Sequence, residues 1–390
     1  MTRPTPADPS IPRLVRVVER LASDEYAGRR IGTAGGQAAA GWLAAELAEL
    51  GATVTVSPFD AGGTRELSAT PTAVWSDGDT TTRLTHRRDF VEHLASAELP
   101  VPRDAPLGTA NRPRAWVLAA AYSAGVVAEA VAVGAAGLLV PRGTDSDGWM
   151  PKMIAGPAPV GVPVLWIRTD LHQRMIAAAA HGNASLRASV PIRTVEVTGA
   201  NLHATFTSPS GAAVRVLLVA HYDGVGDDPE VRLPAAADNA SGVAVVIEAA
   251  RLLAPVLPPG VGLEVALLDG EEIGATGSAR HAPSVPPGTF VLNLDGAAAL
   301  HGAAVIEAGG PAHGLLAALD RAGRDTGVPL RAGAMPSDNR RYAAVGLPSI
   351  GIGMGIPGYQ TPAETADRVD ARTMDAAARL LTGTVWHLTN

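Results

Sequence analysis

The 390-residue sequence predicts an α/β fold, a doubly wound, mostly parallel sheet flanked by helices, with a small inserted α/β or β-rich domain. Three observations predict it. From residue 196 onward, apolar strand-like runs alternate with helical ones: VRVLLVA, ASGVAVVIEAARLLA, VGLEVALL, TFVLNL, GLLAALDRAG, LPSIGIG and a last helix near 371–388. The opening segment supplies two helices and a strand. Leu14, Val17, Val18 and Leu21 recur at helical spacing, Trp42, Leu43, Leu47 and Leu50 mark a second helix closed by Gly51, and TVTVSPF alternates as a strand. Between them, residues 61–195 are richer in Pro, Ala and Gly. There WVLAA, LLV and VPVLWI read as short strands around one helix, AGVVAEAVAVGAAG. The expected organisation is a main domain of residues 1–60 and 196–390 interrupted by an inserted domain of residues 61–195.

Composition narrows the function classes. Hydrophobic residues make up 47% and charged residues 18%, which fits a globular chain and excludes bulk disorder. The net charge of −7 argues against a nucleic-acid or anionic-membrane partner, since both select a basic face. Cysteine is absent, so any metal must sit on His, Asp, Glu or amide ligands. The charged start has no apolar leader core, and the longer apolar runs carry glutamate and glycine, so the sequence-level expectation is a cytoplasmic protein.

Polar residues cluster where apolar strands end. VRVLLVA runs into His221-Tyr222-Asp223, which puts an imidazole and a carboxylate on one side of an extended chain. Asp238-Asn239-Ala240-Ser241-Gly242 opens an apolar helix, and taken singly reads as an N-cap cluster. VGLEVALL ends in Asp269-Gly270-Glu271-Glu272, two adjacent glutamates that are either solvated in a helix's first turn or neutralised by a cation. TFVLNL ends in Asp295. One histidine and several carboxylates arriving at successive strand ends converge on one crevice, and an oxygen-rich set with few imidazoles suits a hydrolytic zinc site.

These motifs resemble the di-zinc aminopeptidase family, which includes bacterial leucyl aminopeptidases, glutamate carboxypeptidase and glutaminyl cyclases. The resemblance is carried by LASDEYAGRRIGTAGGQAAAGWLAAEL, AHYDG, ADNASGVAV, EEIGATGS, NLDG and PSDN…VGLPSIGIG. It covers residues ~14–60 and ~195–385, and the insert resembles a protease-associated domain. The resemblance implies a zinc-exopeptidase-like fold. It also implies that Asp238 bridges two Zn2+ ions, that His221 and Asp295 complete one and Glu272 the other, that Glu271 is the general base and that Asp223 orients His221.

Two positions depart from the family, which often has a histidine after the Ser-Asp pair where Ser337-Asp338 is here followed by Asn339. The family's last ligand is a histidine in a Tyr-His-Thr-Pro type turn, and here the turn reads Tyr359-Gln360-Thr361-Pro362 with no histidine between His313 and His387. Gln360 is thus a doubtful ligand that holds the Glu272 ion weakly, or binds an oxygen-preferring ion such as Mn2+, or leaves one metal only. Three functions stay open: a cytoplasmic metal-dependent hydrolase of peptide or amide bonds, a single-metal acyl-transfer or cyclising enzyme, and a non-catalytic binding homologue. The expected partner is a small peptide or amide-bearing molecule, with an apolar part facing the stretch from Gly353-Met354-Gly355-Ile356 to Tyr359.

Overall fold

The computed structural model describes residues 5–109, 112–156, 158–207 and 213–389. The chain divides into two compact units: Met1–Gly62, Val197–Asp227 and Arg232–Asn390 form the first, and Gly63–Glu196 with Asp228–Val231 the second. The short Asp228–Val231 piece of the second unit lies between the His221 and Asp238 motifs in the chain, where no local pattern points to it.

The first unit is built on an eight-stranded sheet. Its order is Thr53–Leu67, Ile192–Thr207, Val261–Leu268, Val214–His221, Phe290–Leu294, Ser349–Gly353, Ala304–Gly309, Leu330–Ala332. The four central strands are parallel, and the strands on either side of them, Ile192–Thr207 and Ala304–Gly309, run antiparallel. Central parallel strands are covered on both faces, so their sequences are continuous apolar runs, and every residue of Val261–Leu268 is buried. Alternation sends Val216, Leu218 and Ala220 into one core with the helices Ile11–Leu21, Ser241–Leu253 and Ala371–Thr389. Leu217 and Val219 point into a second core with Val291, Tyr342 and Leu347. The register pairs His221 with Leu268 and Leu294 with Ile352, so the segments following these strands emerge together at one edge.

The second unit carries its own eight-stranded sheet, ordered Thr80–Arg83, Ala73–Asp77, Ala184–Val190, Leu99–Gly108, Trp116–Leu118, Gly137–Arg142, Val164–Arg168, Phe90–Glu92. Among the described residues two helices accompany it, Ala124–Ala132 and Thr169–Ala180. The expectation of one helix therefore needs correction. In Thr169–Ala180 the residues Leu171, His172, Met175 and Ala178 are buried at helical spacing, a period masked by the alanine-rich composition around it.

Candidate metal centre and active site

His221 closes its strand fully buried, and its Nδ1–H donates to the Asp223 carbonyl at 3.2 Å. That bond fixes the tautomer and turns the Nε2 lone pair inward. Nε2 stands 3.1 Å from Asp238 Oδ1 and 3.5 Å from Asp295 Oδ1. These three atoms are buried without a hydrogen-bond partner, and the three side chains offer ligand atoms all within 4.8 Å of one another. Converging lone pairs without donors fit a cation.

Asp238 does not act as a helix cap. Asn239 Oδ1 accepts instead from Gly242 N and Gly296 N, each at 3.0 Å, while Asn239 Nδ2 donates to the Leu294 carbonyl at 2.9 Å. A Cβ on Gly242 would come within 2.1 Å of Asn239 Oδ1, which explains the glycine. The Asp238–Asn239 peptide is cis. Asn239 thus ties the start of the Ser241–Leu253 helix to the strand end that delivers Asp295 and leaves the Asp238 carboxylate to the site.

Glu271 and Glu272 precede, rather than begin, the short helix Thr276–His281. Their backbone N–H groups donate to Asp223 Oδ1 and Oδ2 at 3.1 and 3.2 Å, so Asp223 positions the glutamate pair as well as the imidazole. Glu272 Oε2 accepts from Gln360 Nε2 at 2.6 Å, and Gln360 Oε1 and Glu272 Oε1 have no hydrogen bond. Glu272 and Gln360, the residues expected at a second metal position, are thus brought together, with an amide N–H where the family's imidazole would offer a lone pair. The set fits a cation there less well than the His221 set does.

Three residues outside the sequence-derived set build this site. Glu364 accepts from Asp238 N at 2.6 Å and from Gln360 N at 2.7 Å, holding both segments with one carboxylate. Arg29 is fully buried and donates to the carbonyls of Leu21, Tyr222, Pro234 and Ala235 at 2.6–3.0 Å. Asp338 is buried with both oxygens unpartnered. Glu364 and Arg29 bond to main chain that only the folded structure brings near, and a lone Glu, Arg or Asp carries no local signal. For Asp338 the Ser-Asp pair of PSDN was the available hint.

The electrostatics call for positive charge. Burial, then the neighbouring carboxylates of Asp295, Asp338 and Asp238, raise Glu271 well above the usual carboxylate range against the pull of His221. Burial, Asp238 and Glu271 raise Glu272 likewise. Burial pushes Asp338 up to about 6. Burial disfavours the charged imidazole of His221, yet Asp223, Asp238 and Asp295 outweigh it and raise its pKa. So many buried carboxylates around one imidazole and Arg29 favour a bound cation.

A cavity of about 400 Å3 opens on Asp238, Glu271 and Asp295 and is walled by Val305, Met335, Ile356 and Tyr359. Gly353 and Gly355 border it as expected, but Met354 packs into the core at 1% exposure. Its backbone N donates to the Gly296 carbonyl at 2.7 Å, and the methionine of the wall is Met335.

Residues 201–385 match the model of peptidase family M28, in accord with the resemblance carried by the motifs. No curated protein matches the chain. The zinc aminopeptidase BSAP from Bacillus subtilis has the same fold at 19% identity, a TM-score of 0.71 and coverage of 99% of this chain and 95% of that one. An aminopeptidase from Aneurinibacillus sp. strain AM-1 is similar at 19% identity, a TM-score of 0.69 and 97% and 94% coverage. The glutaminyl cyclase of Porphyromonas gingivalis follows at 16%, 0.52, and 97% and 98%. Among the described residues no helix is long and apolar enough to cross a membrane.

Proposed function

We propose that the chain is an aminopeptidase-like hydrolase of peptide or amide bonds that depends on one tightly held zinc ion. The observation that carries this reading is the convergence of His221 Nε2, Asp238 Oδ1 and Asp295 Oδ1, buried and without donors. These residues would hold the ion, with Glu272 and Gln360 forming a weakened second position open to Zn2+ or Mn2+. Zinc bound there supplies a water of lowered pKa and polarises the scissile carbonyl.

The chain's own groups do the rest. Glu271 borders the cavity beside Asp238 and Asp295, where its carboxylate is placed to take a proton and return it to a leaving amine. Asp223 orients both the imidazole and the glutamate pair. The apolar wall of Val305, Met335 and Ile356 receives an apolar side chain or ring of a small peptide or amide-bearing molecule and excludes water. Nucleic acid and membrane are not partners in this reading. A cytoplasmic setting belongs to this reading, and cell fractionation tests it.

The bond between Gln360 and Glu272 favours one alternative, intramolecular cyclisation at a single metal. Product analysis separates the two. With zinc-loaded protein and a panel of apolar dipeptides, hydrolysis releases free acid and amine, whereas in cyclisation of an N-terminal glutaminyl peptide the α-amine displaces the side-chain amide nitrogen, which yields a ring and ammonia without added water. A ring product with no hydrolysis would replace the first reading by the second.

A further inference from the structure

The second unit contains a cavity of about 410 Å3 for which the metal centre gives no role. Its walls are mostly apolar, with Val91, Leu94, Met153 and Trp166 among them, and three of its polar groups are Arg87, Glu92 and Arg142. Two of these are already satisfied. Glu92 accepts from Arg87 Nη2 and pairs with His86 Nε2, each at 2.8 Å, and Arg87 Nε also donates to Asp228, whose other oxygen lies 3.0 Å from Lys152 Nζ. Arg142 ends the strand Gly137–Arg142, and its guanidinium makes no hydrogen bond or ion pair with another described residue, although the charge of Glu92 acts on it. Arg87, Lys152 and Arg142 face Glu92 and Asp228, so one positive charge is left over, and it borders the cavity.

A second donor faces the same space. His93 lines the cavity and its Nδ1 accepts from Ala95 N at 3.0 Å, which leaves the ring proton on Nε2. Burial, then Arg142, lowers the His93 pKa to about 4, so the ring is neutral at pH 7 and donates one N–H. The imidazole is held between Tyr122, stacked at 4.0 Å, and Trp166 at 4.9 Å.

We propose that this cavity binds a small organic carboxylate with an apolar or aromatic body, Arg142 taking the carboxylate and the His93 N–H serving as second donor. A guanidinium matches a carboxylate with two parallel hydrogen bonds, and the rest of the wall offers Trp166 and aliphatic surface to the body. An inorganic anion would leave that surface unused. The volume lies within the ~300–1,000 Å3 of small-molecule sites. The carboxylate is either that of a free acid or the C-terminus of a short peptide, and both present the same chemistry.

Calorimetric titration of the full chain tests this, using phenylacetate for a free acid, N-acetyl-Ala-Phe for a peptide terminus, and phenylacetamide as the neutral counterpart. The expected result is one site per chain for at least one of the carboxylates. Affinity should fall at least about tenfold in Arg142→Gln, and the neutral amide should bind correspondingly worse. Arg142→Lys keeps the charge without the fork and should fall between. Should Arg142→Gln fail to fold, Arg142→Lys and the amide comparison carry the test. Equal binding by the wild type and the Arg142 variants, equal binding of acid and amide, or no carboxylate binding up to about 10 mM would overturn the proposal.

Discussion

The Gln360 side-chain amide donates to Glu272 Oε2 across 2.6 Å, so an N–H points where the second metal position needs a lone pair. Gln360→His would remove that donor and present an imidazole. The expected outcome is a second zinc-binding event in calorimetry that the parent chain lacks or shows only weakly. Unchanged stoichiometry and affinity would mean that residue 360 does not shape the second position.

Glu271 contributes no atom to the His221, Asp238 and Asp295 cluster, which allows base and ligands to be separated. Glu271→Gln should lower kcat by about 10^2–10^4-fold while zinc content, measured by elemental analysis, stays at the wild-type value. Surviving turnover would move the proton transfer to another group.

Glu364 touches no expected ligand lone pair, yet it accepts from the backbone of Asp238 and of Gln360. Glu364→Ala would free both segments and should weaken zinc binding by about 10–100-fold in competition with a chelator. The same variant should leave the fold cooperative in thermal melting.

Arg29 is the counterpart on the opposite charge. Its removal by Arg29→Met leaves the carbonyls of Leu21, Tyr222, Pro234 and Ala235 without their donor. Chemical unfolding should register a loss of about 3–5 kcal/mol. A loss under about 1 kcal/mol would show that water replaces the guanidinium at little cost.

His281 bonds to Tyr342 Oη at 2.8 Å and to His203 Nδ1 at 2.9 Å, and burial, then His203, lowers its pKa to about 4. The unfolded chain, with an ordinary imidazole near ~6.5, then binds the proton more readily than the folded one. Its contribution to stability is complete above pH ~6.5 and is lost as pH falls toward ~4. In His281→Gln the decline of unfolding free energy with acid should be shallower by up to about 1.4 kcal/mol per pH unit. An unchanged slope would mean that this ring titrates normally.

The strand ends were legible because long apolar runs stop at single polar residues. His221, Glu271, Glu272 and Asp295 drew notice that way and Asp238 as the opening of an apolar helix, and the fold brings His221, Asp238 and Asp295 together. The supports were not legible. Glu364 and Arg29 act on main chain distant in sequence, and their role exists only once the sheet has formed. Met335 and Met354 show the same limit. Both stand in glycine-rich surroundings, and the fold alone decides which one faces the cavity. In the insert, Thr169–Ala180 could have been read from its period, whereas Asp228 could not have been assigned to that unit from any local pattern.

The central claim is one firmly held metal ion on His221, Asp238 and Asp295. Elemental analysis after zinc reconstitution and desalting tests it most directly, with His221→Ala as the paired variant. The account predicts one zinc per chain, lost in the variant while the protein remains folded. Two retained ions would show that Gln360 supports a full second site, and none, or one that survives His221→Ala, would contradict the assignment.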